Sequence, residues 1–289
     1  MEVRLKNKSL SAEGAFSDSL DCVMTNHNPR FRSFEMSDLQ QVSYDRILEL
    51  AKQLTANAAD YTFTIIGNFD EAAVRPLIET YIASLPSKNK AVSKAKDVMT
   101  PFKGVVVNTF KRKQETPKST GVIAWRTKDI PCSLENMVKT TMASRILEMI
   151  YLKKIREEAS AAYSVSAQGG HSANEFGTTT TLLGYCPMKP EKAQEAMDIM
   201  RDEVVKMTTA CDADMLAKVK ENMLKSHETS LKTNGYWLSA ITSEREFGID
   251  VHSNYKQIVE SQTPATVSAF VAEILKAGNR AEVVMMPEE

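Results

Sequence analysis

The 289 residues carry 36 Lys and Arg against 37 Asp and Glu, a formal net charge of −1, with 43% hydrophobic and 25% charged residues. This is the make-up of a globular chain longer than one average domain, and the balanced charge excludes a duplex-nucleic-acid binder, which needs a basic excess. No apolar run approaches the roughly 18 residues that span a bilayer, and the opening MEVRLKNKSLSAEGAF lacks the apolar segment of a secretory signal and reads as the middle of a module.

Cys22, Cys132, Cys186 and Cys211 stand far apart with no C-x-x-C pair. A zinc ribbon and a thioredoxin-like site are therefore excluded, and the thiols are expected to be buried or incidental. The eleven glycines form neither G-x-G-x-x-G nor G-x-x-x-x-G-K-[ST], so the common phosphate cradles are absent.

In chain order, residues 15–28 predict a short helix stopped by Asn28-Pro29. Ser37 and Gln40 match a capping box, opening a helix predicted to run to Ala56. Tyr61–Gly67 alternates like a strand, and Asp70 caps a helix through Leu85, closed by Pro86. One strand makes no sheet, so residues 1–86 read as the C-terminal portion of a first, truncated α+β module. Residues 87–100 are lysine-rich and aperiodic, a linker.

Residues 101–289 read as a complete second module. Gly104–Phe110 and Ser119–Thr127 are strand-like and predict a hairpin across the charged stretch Lys111–Lys118. A helix from Leu134 to about Ala159 shows one apolar stripe through Met142, Ile146 and Met149. Tyr163–Gln168 and Gly177–Tyr185 predict a second hairpin around GGHSANE, and helices follow at 189–208, 212–231, 236–247, 254–261 and 264–276. A last strand spans Arg280–Met286, an echo of the strand at 61–66 after its own helix. The expected fold class is α+β: two-layer modules of antiparallel or mixed sheet with helices on one face.

Zinc-protease chemistry needs two histidines and a glutamate on one helix face. His27, His171, His227 and His252 are mutually distant in sequence; His227-Glu228-Thr-Ser-Leu231 has leucine at the second ligand position, and His171-Ser-Ala-Asn-Glu175 fits no inverted motif. G-x-S-x-G is absent as well. The chain is expected to hold no metal and no cofactor of its own.

One constellation stands out. Arg156 falls in the last turn of the long helix and Tyr163 at the first position of the next strand. A tight reversal between them aims a guanidinium and a phenol at one place, several fixed donors and one directional donor suited to a peptide carbonyl or its oxyanion. The plainer alternative stays open: arginine near a helix C-terminus favours the helix dipole, and Tyr163 shares strand parity with Val165 and Ala167, which allows a core position.

Several stretches resemble the C-terminal part of the pitrilysin/insulinase family of zinc metallopeptidases, users of an inverted H-x-x-E-H motif. They are Asn28-Pro-Arg30, Ser43-Tyr-Asp-Arg46, Asn57–Phe69, Leu77–Pro86, Pro117-Lys-Ser119, Arg145-Ile-Leu147 and above all Ile155-Arg-Glu-Glu-Ala-Ser-Ala-Ala-Tyr-Ser-Val165, spread over residues 25–285. The resemblance implies the modular fold shared with mitochondrial processing peptidase and two halves closing around an unfolded peptide. It places zinc and its glutamate base in an absent N-terminal half, which is the implied partner together with the peptide substrate. It also implies that Arg156 and Tyr163, seven residues apart, contact that substrate during peptide-bond hydrolysis, that this fragment alone is inactive, and that the setting is a bacterial periplasm or cell envelope. A non-catalytic peptide-binding or assembly module of the same fold is the alternative.

Overall fold

The structure is a computed structural model that describes residues 1–88, 90 and 95–288, without the side chain of Ser9. Its centre is a five-stranded sheet among the described residues: β1 (Val105–Arg112), β2 (Ser119–Thr127), β3 (Ser166–Asn174), β4 (Gly177–Met188) and β5 (Arg280–Pro287), in spatial order β1-β5-β2-β4-β3. The fold is mixed, because β1 and β5 run parallel while β2, β3, β4 and β5 pair antiparallel.

The expected β1–β2 hairpin is not formed; β5 lies between the two strands. Crossing one intervening strand takes about 10 Å, which the six residues 113–118 span easily. Sequence marks the centre better than the pairing. Residues 281–285 are buried in an unbroken run, as a strand covered on both faces requires, whereas β1 alternates exposed and half-covered positions, as an edge strand does. Buried Glu282 in β5 is compensated by a fork from Arg201, with Nε to Oε1 at 3.0 Å and Nη2 to Oε2 at 2.8 Å.

The N-terminal helices depart from expectation. Helix α1 (Glu2–Leu10) was not foreseen, and α2 (Ala12–Met24) starts three residues earlier than predicted, capped by the Ser11 hydroxyl. The helix expected over 37–56 is broken into α3 (Met36–Leu39), opened by a Glu35/Asp38 capping box, and α4 (Tyr44–Leu54), which Ser43 caps through the Arg46 amide. Two capping side chains within nine residues offer the backbone a second start, which competes with one continuous helix. Helix α5 (Glu71–Tyr81) begins as predicted, at Asp70.

Residues 61–66 join no sheet among the described residues, and Tyr61, Phe63 and Ile65 are exposed. The apolar face of α4 (Tyr44, Ile47, Leu48, Leu50, Leu54) is likewise exposed. Part of the linker expected at 87–100 falls outside the described residues; its end is tied back to α2 by Thr100 Oγ1 donating to the Thr25 carbonyl at 3.0 Å.

The remaining helices are α6 (Leu134–Tyr151), α7 (Ala193–Met207), α8 (Ala213–Ser230), α9 (Asn234–Phe247), α10 (Tyr255–Ser261) and α11 (Pro264–Lys276). Helices α6, α7 and α11 cover one face of the sheet, with α8 and α10 behind α6. Their core holds Ile123, Trp125, Met142, Ile146, Tyr151, Leu182, Met200 and Ile274. Helix α2 lies on the opposite face, where Phe16 and Val23 join Val122, Ala124, Val283 and Met285. No helix among the described residues is long and apolar enough to cross a membrane.

The second hairpin forms, with a shorter turn than expected. Gly169, Gly170 and His171 belong to β3, and the reversal sits at residues 175–176. Glycine is needed at 169 because α6 presses against it: a Cβ there would meet the Thr140 carbonyl oxygen at 2.7 Å and Thr140 Cγ2 at 2.8 Å. At Gly170 a Cβ meets nothing within 4 Å. Gly169→Ala is therefore expected to cost about 1–3 kcal/mol, the usual range for overpacking, and Gly170→Ala little; urea unfolding of the two variants checks the contrast.

Candidate functional site

Helix α6 does not end in a normal turn. From Leu152 to Glu158 it widens into a π-helix, and the Ala159 amide donates to the Lys154 carbonyl five residues back at 2.9 Å. Such turns are uncommon and recur at functional sites. Ile155 is fully buried, so the wider turn is anchored by packing while Arg156 faces outward. Ser160 then takes a left-handed conformation, φ 49°, which a side chain disfavours. It is held there from both sides. The Ala161 amide donates to the Ile155 carbonyl, the Lys189 amide to the Ala161 carbonyl, both at 2.9 Å, and Ala162 bridges Met188 at the end of β4.

This reversal brings Arg156 and Tyr163 together. The guanidinium carbon lies 5.3 Å from the centre of the Tyr163 ring, and the tyrosine is 85% exposed. The core position that strand parity allowed for Tyr163 is not taken: β3 starts only at Ser166, and Tyr163 lies in the bend before it. A cation over a ring at an exposed site contributes about 0.5–1 kcal/mol, enough to bias two long side chains toward one arrangement. The guanidinium carries several N–H donors, and the phenol O–H is a further donor. Both are open to a ligand from solvent.

Behind the π turn, Glu203 of α7 accepts from Lys154 at 2.9 Å and Lys206 at 2.7 Å. Burial pushes its carboxyl upward, and the two lysines outweigh that and hold it below the usual carboxylate range. The buried Tyr151 hydroxyl donates to the Met200 carbonyl at 2.9 Å, a second tie between this end of α6 and α7.

The histidines do not fit a zinc site. His171 shares a 2.7 Å hydrogen bond with Thr180; His227 stacks on Tyr255 at 4.1 Å; His252 bonds the Tyr236 hydroxyl at 2.9 Å; His27 sits in a turn at φ 55°. No group of three His, Cys, Asp or Glu side chains able to hold a metal occurs among the described residues. All four cysteines are free thiols, and burial pushes Cys186 up to about 12. The expected proximity of Arg156 and Tyr163 is present, whereas the π turn, Ser160 and the Lys154–Glu203 tie have no local sequence signal.

Comparison with known proteins gives four findings. The family described as "Peptidase M16 inactive domain" matches residues 41–223, more than half of the chain. The probable zinc protease PqqL of Escherichia coli K12 is 23% identical over 200 residues, covering 68% of this chain and 21% of PqqL. The crystal structure of the periplasmic protease PqqL superposes with a TM-score of 0.79 at 20% identity, over 98% of this chain and 31% of that one. A peptidase M16 inactive domain from Pseudomonas fluorescens superposes with a TM-score of 0.75 at 12% identity, over 99% of this chain and 68% of that one. At these identities the structural likeness shows the fold, and the chain spans less than a third of PqqL.

Because Glu203 has a lower pKa folded than unfolded, its contribution to stability is present above the ordinary carboxylate range and is lost as pH falls through the depressed value. Denaturation of wild type and Glu203→Gln across pH should show a wild-type advantage at neutral pH that vanishes in acid.

Proposed function

This chain belongs to the peptidase M16 inactive domain family, and from that premise we propose that it supplies substrate contacts to peptide-bond hydrolysis completed by a zinc-binding half outside these residues. Arg156 and Tyr163 clasp the carbonyl oxygen of the bond to be cut. The guanidinium edge and the phenol O–H donate to that oxygen, and they hold it more strongly as it gains negative charge. The observation that carries this reading is the exposed Arg156–Tyr163 contact at 5.3 Å, positioned by a π turn and a left-handed serine.

The bond-breaking chemistry in this reading belongs to the zinc-binding half, and the isolated chain is expected to be inactive as a hydrolase. In this reading residues 1–86 are the end of a first module and 101–289 a second complete one. The exposed apolar side chains of α4 and of residues 61–65 support an N-terminal half that covers them. PqqL is described as periplasmic, which supports a periplasmic or envelope setting here. The substrate is an extended or unfolded peptide, since an exposed two-residue clasp reads backbone rather than side chain.

The test is made in the longer protein that includes the zinc-binding half. Tyr163→Phe is expected to lower turnover by ~10²–10³, the usual loss for one oxyanion donor, with Arg156→Ala at least as severe. Wild-type turnover at a wild-type Michaelis constant in Tyr163→Phe removes the assigned role.

A further inference from the structure

We propose that Asn234 and Gly235 form a self-modification site: the Gly235 amide nitrogen closes on the Asn234 side chain, and the isoaspartyl product releases α9 from the body of the protein. This is the only Asn-Gly step in the sequence, and it supplies the first two residues of α9. The Gly235 nitrogen attacks Asn234 Cγ, a C–N bond forms, the Cγ–Nδ2 bond breaks, and ammonia leaves with the displaced proton. Water then opens the cyclic imide. Attack at Cγ gives aspartate; attack at the backbone carbonyl gives isoaspartate, in which the main chain runs through Cβ. Glycine puts no side chain beside the attacking nitrogen and lets the chain rotate into the ring-closing conformation.

The structure leaves both reacting groups free. The first amides of a helix have no acceptor within it, and the Thr233 hydroxyl takes the Tyr236 amide at 3.3 Å. Neither the Gly235 amide nor the exposed Asn234 side chain has a hydrogen-bond partner among the described residues. Ring closure needs the first turn to open, and α9 is lightly held: Ala240 is its one buried residue of fourteen, the condition for cheap local opening. What else fixes the helix lies two and three residues beyond Asn234. The Tyr236 hydroxyl bonds His252 Nδ1 at 2.9 Å, the Trp237 ring lies 4.9 Å from that of His252, and Trp237 Nε1 donates to the Leu231 carbonyl at 2.9 Å. Isoaspartate adds a methylene to the main chain between Thr233 and Tyr236. The Thr233 cap then loses its spacing, and both rings shift off their partners. Aspartate keeps the main chain and puts a negative charge at a helix N-terminus, where it is favourable, so the two products act in opposite directions. None of this depends on the carbonyl-clasp reading.

The test incubates the purified 289-residue chain, folded and in urea, at physiological temperature in mildly alkaline buffer, and then cleaves it with trypsin. The tryptic peptide of residues 233–245 contains no other asparagine and no glutamine, so its amide-to-acid mass increase reports Asn234 alone. In the folded chain this conversion should outpace that at every other asparagine. Gly235→Ala should slow it by about tenfold or more, because a side chain now crowds the attacking nitrogen; the variant folds, since a Cβ at 235 meets nothing within 4 Å. The isoaspartyl chain, separated by chromatography and identified by isoaspartyl-specific carboxyl methylation, should exchange its α9 amides about tenfold faster than fresh protein. Asn234→Asp should exchange them no faster than fresh protein. Absence of conversion in the folded chain overturns the proposal, whether or not the urea-unfolded chain converts, and so does equal conversion in Gly235→Ala. Unchanged α9 exchange in the isoaspartyl chain, or equally fast exchange in Asn234→Asp, overturns the release of the helix.

Discussion

The site depends on a backbone reversal pinned at both ends. Ile155 has its side chain in the core and its carbonyl bonded to the Ala161 amide, so the π turn cannot unwind without opening the interior. On the other side, Ala161 and Ala162 are stitched to the end of β4 through Lys189 and Met188. Ser160 absorbs the mismatch in a left-handed conformation that costs of order 1 kcal/mol for a residue with a side chain. Strain of this kind persists where surrounding structure over-determines it. Its outcome is that Arg156 and Tyr163, seven residues apart, meet at the surface.

What sequence alone reveals follows the range of the forces involved. Asp70 caps its helix where local pattern places it, because a cap is a contact over three residues, and Ser133 and Thr263 likewise cap helices that start at the expected Leu134 and Pro264. The 37–56 stretch misleads for the same reason: Ser43 is a local competitor whose effect depends on whether tertiary packing rewards a continuous helix. The β1–β2 hairpin misleads because adjacency in a sheet is a long-range property, decided when β5 arrives from 150 residues downstream. GGHSANE reads as a turn from its glycines, yet Gly169 is in a strand because α6 lies too close for a Cβ. The spacing of Arg156 and Tyr163 is legible; the π turn and left-handed serine that join them are not, since neither has a residue signature.

The two parts of the chain differ in how well they satisfy their own surfaces. The buried run of β5 is covered by helices from residues 134–276 on one face and by α2, from the N-terminal part of the chain, on the other. Residues 61–66, which alternate in sequence like a strand but join no sheet among the described residues, and α4 before them leave apolar side chains outside. These exposed apolar side chains are the surface that the N-terminal half proposed above would cover.

The most direct measurement is a double-mutant cycle on kcat/KM in the intact protease, using Arg156→Ala, Tyr163→Phe and the pair. A shared clasp predicts that each single change is severe and that the double variant is much less impaired than the product of the two. Near-wild-type rates in both single variants, or strictly multiplicative losses, would contradict it.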